Sequence, residues 1–174
     1  MVDESLEEVI GRLLVQRGLT LSLAESCTGG LIGHHLTNVP GSSHYFMGGV
    51  VAYSNEAKEQ ALGVEHETLL QHGAVSEEVA LEMAHGARHI FGTDIALGVT
   101  GIAGPSGGTP HKPVGLAFIA LVAEGFEQCK RYQWKGDRLG NKESTAKEAL
   151  KLLKRYLNEN SPRNMGENAQ SERN

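Results

Sequence analysis

Three stretches of this 174-residue sequence carry side chains whose types and spacing suit hydrolytic chemistry. The first, residues 24–30, reads AESCTGG and offers two nucleophiles, Ser26 and Cys27, followed by Gly29 and Gly30, which let a backbone approach a ligand closely. It leaves a strand and enters a helix, where free N–H groups and a positive dipole end can hold a phosphate or a developing oxyanion around Thr28 to Gly30. The competing reading is an ordinary strand-to-helix turn with Ser26 or Thr28 as N-cap. The second stretch, residues 53–58, reads YSNEAK. A serine hydroxyl needs a base to attack an amide at neutral pH. Lys58 can serve if burial lowers its pKa, with Tyr53 as a proton relay or hydrogen-bond donor. The alternative for Lys58 is a solvated surface lysine paired with Glu56 or Glu59.

The third stretch, residues 98–115, reads GVTGIAGPSGGTPHKPVG. Its glycines at 101, 104, 107 and 108 make a loop able to present several N–H groups to an anion, or simply a long surface loop. The glycine spacing fits neither the dinucleotide-binding fingerprint nor a Walker loop. Arg138, in Gly136-Asp137-Arg138, either binds a phosphate or pairs with an acid. Candidate substrate-binding residues are therefore Cys27, Thr28, Gly29, Gly30, Ser54, Asn55, Thr100, Gly101, Gly104 and Arg138. His85 and His89 have the i, i+4 spacing of a metal pair but no third ligand beside them, so neither a metal nor a cofactor is expected.

The elements that must position these residues follow from periodicity. Ser5 to Gln16 reads as an amphipathic helix with a Ser5/Glu8 capping box and a stop at Gly18. Leu19, Leu21 and Leu23 alternate with polar residues and predict a strand that runs into Ser26. A helix through Leu31, Ile32 and Leu36 breaks at Pro40-Gly41. A strand over 45–53 leads to a short helix over 55–62, with Ser54 as N-cap and Gly63 as stop. One helical turn is expected at 67–71. A longer helix capped by Ser76 follows, with Val79, Met83, Ala84, Ala87 and Ile90 on its inner face. Strands are expected at 94–100, 114–123 and 128–134, the last two as a hairpin, then a closing helix over 141–157. This alternation predicts an α/β fold: a three-layer α/β/α sandwich with a mostly parallel mixed sheet. Residues 1–158 are expected to form one domain and 159–174 a disordered polar tail.

Composition narrows the function classes. Hydrophobic residues make up 40 % and the net charge is −5 without a basic stripe, so no nucleic-acid partner is expected. No apolar run is long enough to span a membrane and no signal peptide is visible, which predicts a cytoplasmic protein with no membrane partner. The two cysteines, Cys27 and Cys129, have neither disulfide-scaffold nor zinc spacing.

Taken together, AESCTGG (24–30), YSNEAK (53–58), GAVSEEVA (73–80), GVTGIAGPSGG (98–108), KPVG (112–115) and GDR (136–138) resemble the CinA C-terminal domain family, the nicotinamide-nucleotide amidases. The resemblance runs nearly to the tail. It implies hydrolysis of the carboxamide of nicotinamide mononucleotide to nicotinic acid mononucleotide and ammonia, in pyridine nucleotide salvage. The family's serine, lysine and tyrosine set falls on Ser26, Lys58 and Tyr53, and the implied fold is again a three-layer α/β/α sandwich. Many relatives carry an additional N-terminal domain; this chain has no room for it and reads as the stand-alone form. Relatives often place an apolar residue and an arginine where this chain has Asn141-Lys142, and a lysine cannot reproduce a bidentate arginine contact. A homo-oligomer, with a dimer favoured, is expected alongside the small-molecule nucleotide. Two other functions remain open: a non-catalytic nucleotide-binding regulatory module, and an amidase for another small carboxamide.

Overall fold

The structure is a computed structural model and describes residues 4–160. Helix α1, Leu6–Arg17, opens on the expected capping box: Ser5 and Glu8 exchange side-chain-to-backbone hydrogen bonds, and Gly18 closes the helix in the left-handed region. Strand β1, Leu21–Glu25, is buried along its whole length. Its apolar-polar alternation does not separate core from solvent, because helices cover both faces of the sheet at this strand. Ser22 instead shares a hydrogen bond of 2.7 Å with Thr93 in the interior.

Next come α2, Leu31–Thr37; β2, Phe46–Val51; α3, Asn55–Leu62; α4, His66–His72; and α5, Glu77–Phe91. Strand β3, Ile95–Gly101, precedes the hairpin of β4, Leu116–Ala123, and β5, Phe126–Gln133, and α6, Arg138–Glu159, closes the fold. The strand order is β2-β1-β3-β4-β5; β2 and β3 both run parallel to β1, while β4 is antiparallel to β3 and to β5. The chain leaves β1 toward β2 on one side and leaves β3 toward β4 on the other. The carboxyl ends of β1 and β3 therefore flank the point where the winding reverses, the place where open α/β sheets bind ligands.

One face of the sheet packs α1, α2 and α6 around Ile10, Leu14, Leu23, Ile32 and Leu150; the opposite face packs α3, α4 and α5 around Leu62, Leu69, Val79, Met83 and Ala87. Helix α5 lies so close to β3 that a Cβ on Gly98 would stand 2.2 Å from the carbonyl oxygen of Ala80. No helix among the described residues is long and apolar enough to cross a membrane.

Several details differ from expectation. Strand β2 is shorter than 45–53: Tyr45 ends a 3-10 turn with its ring buried, and Tyr53 lies beyond the strand. Ile90 is 49 % exposed, because in the last turn of α5 the helical repeat brings Phe91 to the sheet, where its ring fills the space a side chain at Gly48 would need. Helix α6 starts at Arg138, three residues before the expected 141, because Asp137 caps it by accepting from the Gly140 N–H at 2.8 Å. Glu159 still belongs to that helix, and the remainder of the expected tail, 161–174, lies outside the described residues.

Candidate active site

Ser26 directly follows β1, and its N–H donates to the carbonyl of Val99 on β3, so the residue stands at the winding reversal. The turn then closes on itself, the Gly29 N–H donating to the Ser26 carbonyl at 3.1 Å. Ser26 is 7 % exposed. Lys58 approaches from α3, which Ser54 caps by accepting from Ala57 N–H and which Gly63 ends. The lysine is 2 % exposed, and its Nζ lies 3.1 Å from Ser26 Oγ and 3.1 Å from the carbonyl oxygen of Ala52.

Burial disfavours the ammonium form and lowers the Lys58 pKa from the ordinary lysine value. No carboxylate among the described residues shares an ion pair with it. A neutral amine has a lone pair, and at this distance that lone pair can take the Ser26 proton. Cys27, the rival nucleophile, is buried with its sulfur against Gly101, where a Cβ would lie 3.0 Å from Sγ. Burial pushes its thiol up to about 12, so it stays protonated and poorly nucleophilic.

Tyr53 is 59 % exposed, and its hydroxyl accepts a hydrogen bond of 2.8 Å from Arg138 Nη2. It makes none with Ser26 or Lys58, so the structure assembles the serine and the lysine without the tyrosine. The Nη1 of Arg138 donates to the Gly104 carbonyl at 2.6 Å. Arg138 thus ties the glycine-rich loop to Tyr53, and no carboxylate pairs with it among the described residues.

Several expected substrate contacts are taken up internally. Gly30 N–H donates to the Glu25 carboxylate, as do Ile32 N–H and Gly33 N–H, at 3.0, 3.1 and 2.9 Å. With Gly29 N–H also engaged, the start of α2 is not the open anion cradle the sequence suggests, and Gly29 and Gly30 offer no free N–H. Thr28 is fully buried and its hydroxyl has no hydrogen-bond partner among the described residues. The Thr100 hydroxyl donates to the Ala74 carbonyl at 2.7 Å. Gly101 packs under Leu116, and Gly104, at φ 91°, packs under Val114. Asn55 is exposed at the first position of α3. Among the described residues no group of three or more His, Cys, Asp or Glu stands together in a metal-binding arrangement; His85 pairs with Glu127 at 3.0 Å.

The family match covers residues 3–157 and is to the CinA C-terminal domain. The chain belongs to that family. A protein of Moorella thermoacetica named putative competence-damage inducible protein is 53 % identical over 89 % of this chain and 37 % of its own length. A CinA-like protein of Kosmotoga olearia is likewise 53 % identical, over 89 % of this chain and 38 % of its own. The chain thus spans well under half the length of these relatives. Among solved structures, the competence damage-inducible protein A of Klebsiella pneumoniae superposes with a TM-score of 0.87 at 36 % identity, covering 90 % of this chain and 97 % of that one. The competence/damage inducible protein CihA of Agrobacterium tumefaciens superposes at 0.82 with 42 % identity, covering 88 % and 95 %.

Two further residues of this CinA C-terminal domain bear on the site, the Asn141-Lys142 pair that the sequence marks as a departure from relatives. Asn141 is 2 % exposed; its Nδ2 donates to the Ala103 carbonyl and its Oδ1 accepts from Gly136 N–H, both at 3.0 Å. It pins the root of the glycine-rich loop to the start of α6. Lys142, one residue on, reaches over the nucleophile turn: a Cβ on Gly29 would be 3.7 Å from its Nζ. Lys112 donates to the His72 carbonyl and Arg138 is engaged as described, whereas Lys142 has no acceptor among the described residues. The resemblance marked the position of the pair, and the Asp137 cap explains its placement one turn into α6.

Proposed function

We propose that this CinA C-terminal domain is a serine-lysine amidase that hydrolyses the carboxamide of nicotinamide mononucleotide to nicotinic acid mononucleotide and ammonia. The observation that carries the reading is the Ser26 hydroxyl 3.1 Å from a buried lysine amine whose pKa is lowered. Lys58 takes the Ser26 proton as Oγ adds to the carboxamide carbon. Cys27 N–H and Thr28 N–H are the amides of the turn without an acceptor among the described residues, and they face the role of oxyanion donors. Lys58 returns the proton to the departing nitrogen, the C–N bond breaks and ammonia leaves. Water then attacks the acyl-enzyme as Lys58 takes its proton; the C–Oγ bond breaks, Lys58 passes that proton to Ser26 Oγ, and the acid is released.

Lys58 is the direct base in this scheme, and Tyr53 stands exposed beside Arg138. The choice of a nucleotide substrate is supported by family membership and by Lys142, an unengaged cation above the nucleophile turn that suits the 5′-phosphate. The test is ammonia release by the purified protein from nicotinamide mononucleotide and from free nicotinamide, with Ser26→Ala as control. Turnover of the nucleotide that vanishes in the variant supports the proposal; equal ammonia release by Ser26→Ala would overturn it.

A further inference from the structure

Glu25 has no part in the chemistry just described, yet it is 3 % exposed and carries four contacts. Its Oε2 accepts from Gly30 N–H and Ile32 N–H, and its Oε1 from Gly33 N–H. These donors sit at the start of α2, whose N-cap Gly30 supplies no side-chain partner of its own. A carboxylate held by three N–H groups is a charge-assisted cap. The same residue's main-chain carbonyl accepts from Ala52 N–H at 2.9 Å. Ala52 in turn offers its carbonyl to Lys58 Nζ, and Lys58 Nζ meets Ser26 Oγ.

These links close a circuit. From Ser26 one step back along the chain reaches Glu25, one hydrogen bond reaches Ala52, another reaches Lys58, and a third returns to Ser26. The side chain of Glu25 fixes the far end of the nucleophile turn, while its backbone fixes the anchor of the base. Gly33 leaves room for this, since a Cβ there would already touch Oε1 at 3.6 Å. The geometry points to Glu25 as the positioning residue that sets the Ser26-to-Lys58 distance. It acts through the turn and does not touch the substrate. The inference rests on Ser26 being the nucleophile.

The test uses a fluorophosphonate probe. Ser26 Oγ bonds to phosphorus, the P–F bond breaks, fluoride leaves and Lys58 takes the hydroxyl proton, so the rate reports the pair without involving any nucleotide. Glu25→Gln keeps the shape but turns one acceptor into an NH2 group, and Glu25→Asp keeps the charge but draws it out of reach. Both are expected to slow phosphonylation and kcat about ten- to a hundredfold, since a misplacement on the order of 1 Å costs that much. KM should stay within about threefold. Ser5→Ala, which uncaps α1 far from the site, is expected to lower Tm without slowing the probe. A lowered Tm for Glu25→Gln with an unchanged phosphonylation rate would make Glu25 merely structural and overturn the inference alone. Wild-type protein left unmodified at Ser26 would overturn the nucleophile and the inference together. In the wild type, Ile32 and Gly33 amides should resist hydrogen exchange although they lie in a first helical turn. Rapid exchange there would also overturn the inference, even if the variants fail to fold.

Discussion

The nucleophile turn, 26–30, and the glycine-rich loop, 101–113, leave neighbouring strand ends side by side, yet they are held in opposite ways. The turn is short, its first three residues are buried, and it is fixed by its own backbone, by β3 and by the Glu25 carboxylate. The loop is exposed from Pro105 to His111; Asn141 and Arg138 hold it from α6, and its own Lys112 reaches out to the His72 carbonyl. The proposed reacting atoms sit on the region that folding itself immobilises, and the longer region lies beside it. Glycines serve different ends in each: at Gly29 and Gly30 positive φ shapes the turn, whereas at Gly101 and Gly108 a side chain would collide with backbone of the segment that follows the loop.

The largest effects should come from the turn and its base. Ser26→Ala and Lys58→Ala are each expected to reduce ammonia release about 10³-fold or more; a residual rate near wild type would break the assignment of chemistry to the rigid side. Because burial lowers the Lys58 pKa, its active form is the unprotonated one, so kcat should rise with pH as the lysine loses its proton. The folded state also binds fewer protons there than the unfolded state, so this group destabilises the fold below its lowered pKa and the cost fades as pH rises toward the ordinary lysine value. Lys58→Met should therefore raise Tm at neutral pH while abolishing turnover, which denaturation and activity measured on one preparation would show.

Asn141→Ala comes next. It strands the Ala103 carbonyl and the Gly136 N–H, at about 1–3 kcal/mol each where they are buried. A lower Tm and a roughly tenfold loss of kcat are expected, and a pure loss of stability would show that the loop root does not matter to the chemistry. Lys142→Ala should raise KM for the nucleotide about tenfold, about 1.4 kcal/mol, and leave free nicotinamide unaffected. Equal changes for both substrates would remove Lys142 from phosphate binding. Smallest of all, Cys27→Ala should change turnover by about twofold or less, measured with the same assay, because its thiol stays neutral up to about 12.

The rigid half was far more legible from sequence than the framing half. Ser26, Lys58 and Tyr53 stand in short stretches whose neighbours, Gly29, Gly30 and Ser54, announce turns and caps, and the long helix between Ser76 and Gly92 is marked at both ends. The partners of Tyr53 and Arg138 could not be read, because their contact joins positions 85 residues apart in sequence. Glu25 was hidden for a different reason: a glutamate at the end of a buried strand looks like a solvated residue until the helix it caps folds back over it. Ile90 was misplaced because a 3.6-residue repeat drifts around the helix by its last turn, and only the width of the sheet says which residue still faces it.

Lys58 is nearly closed to solvent, and the open side of its amine is Ser26. Reactive aldehydes and acylating metabolites that modify lysines at random will meet the surface amines long before this one. The proposed base is thereby shielded from chemical ageing by the same burial that favours its uncharged form.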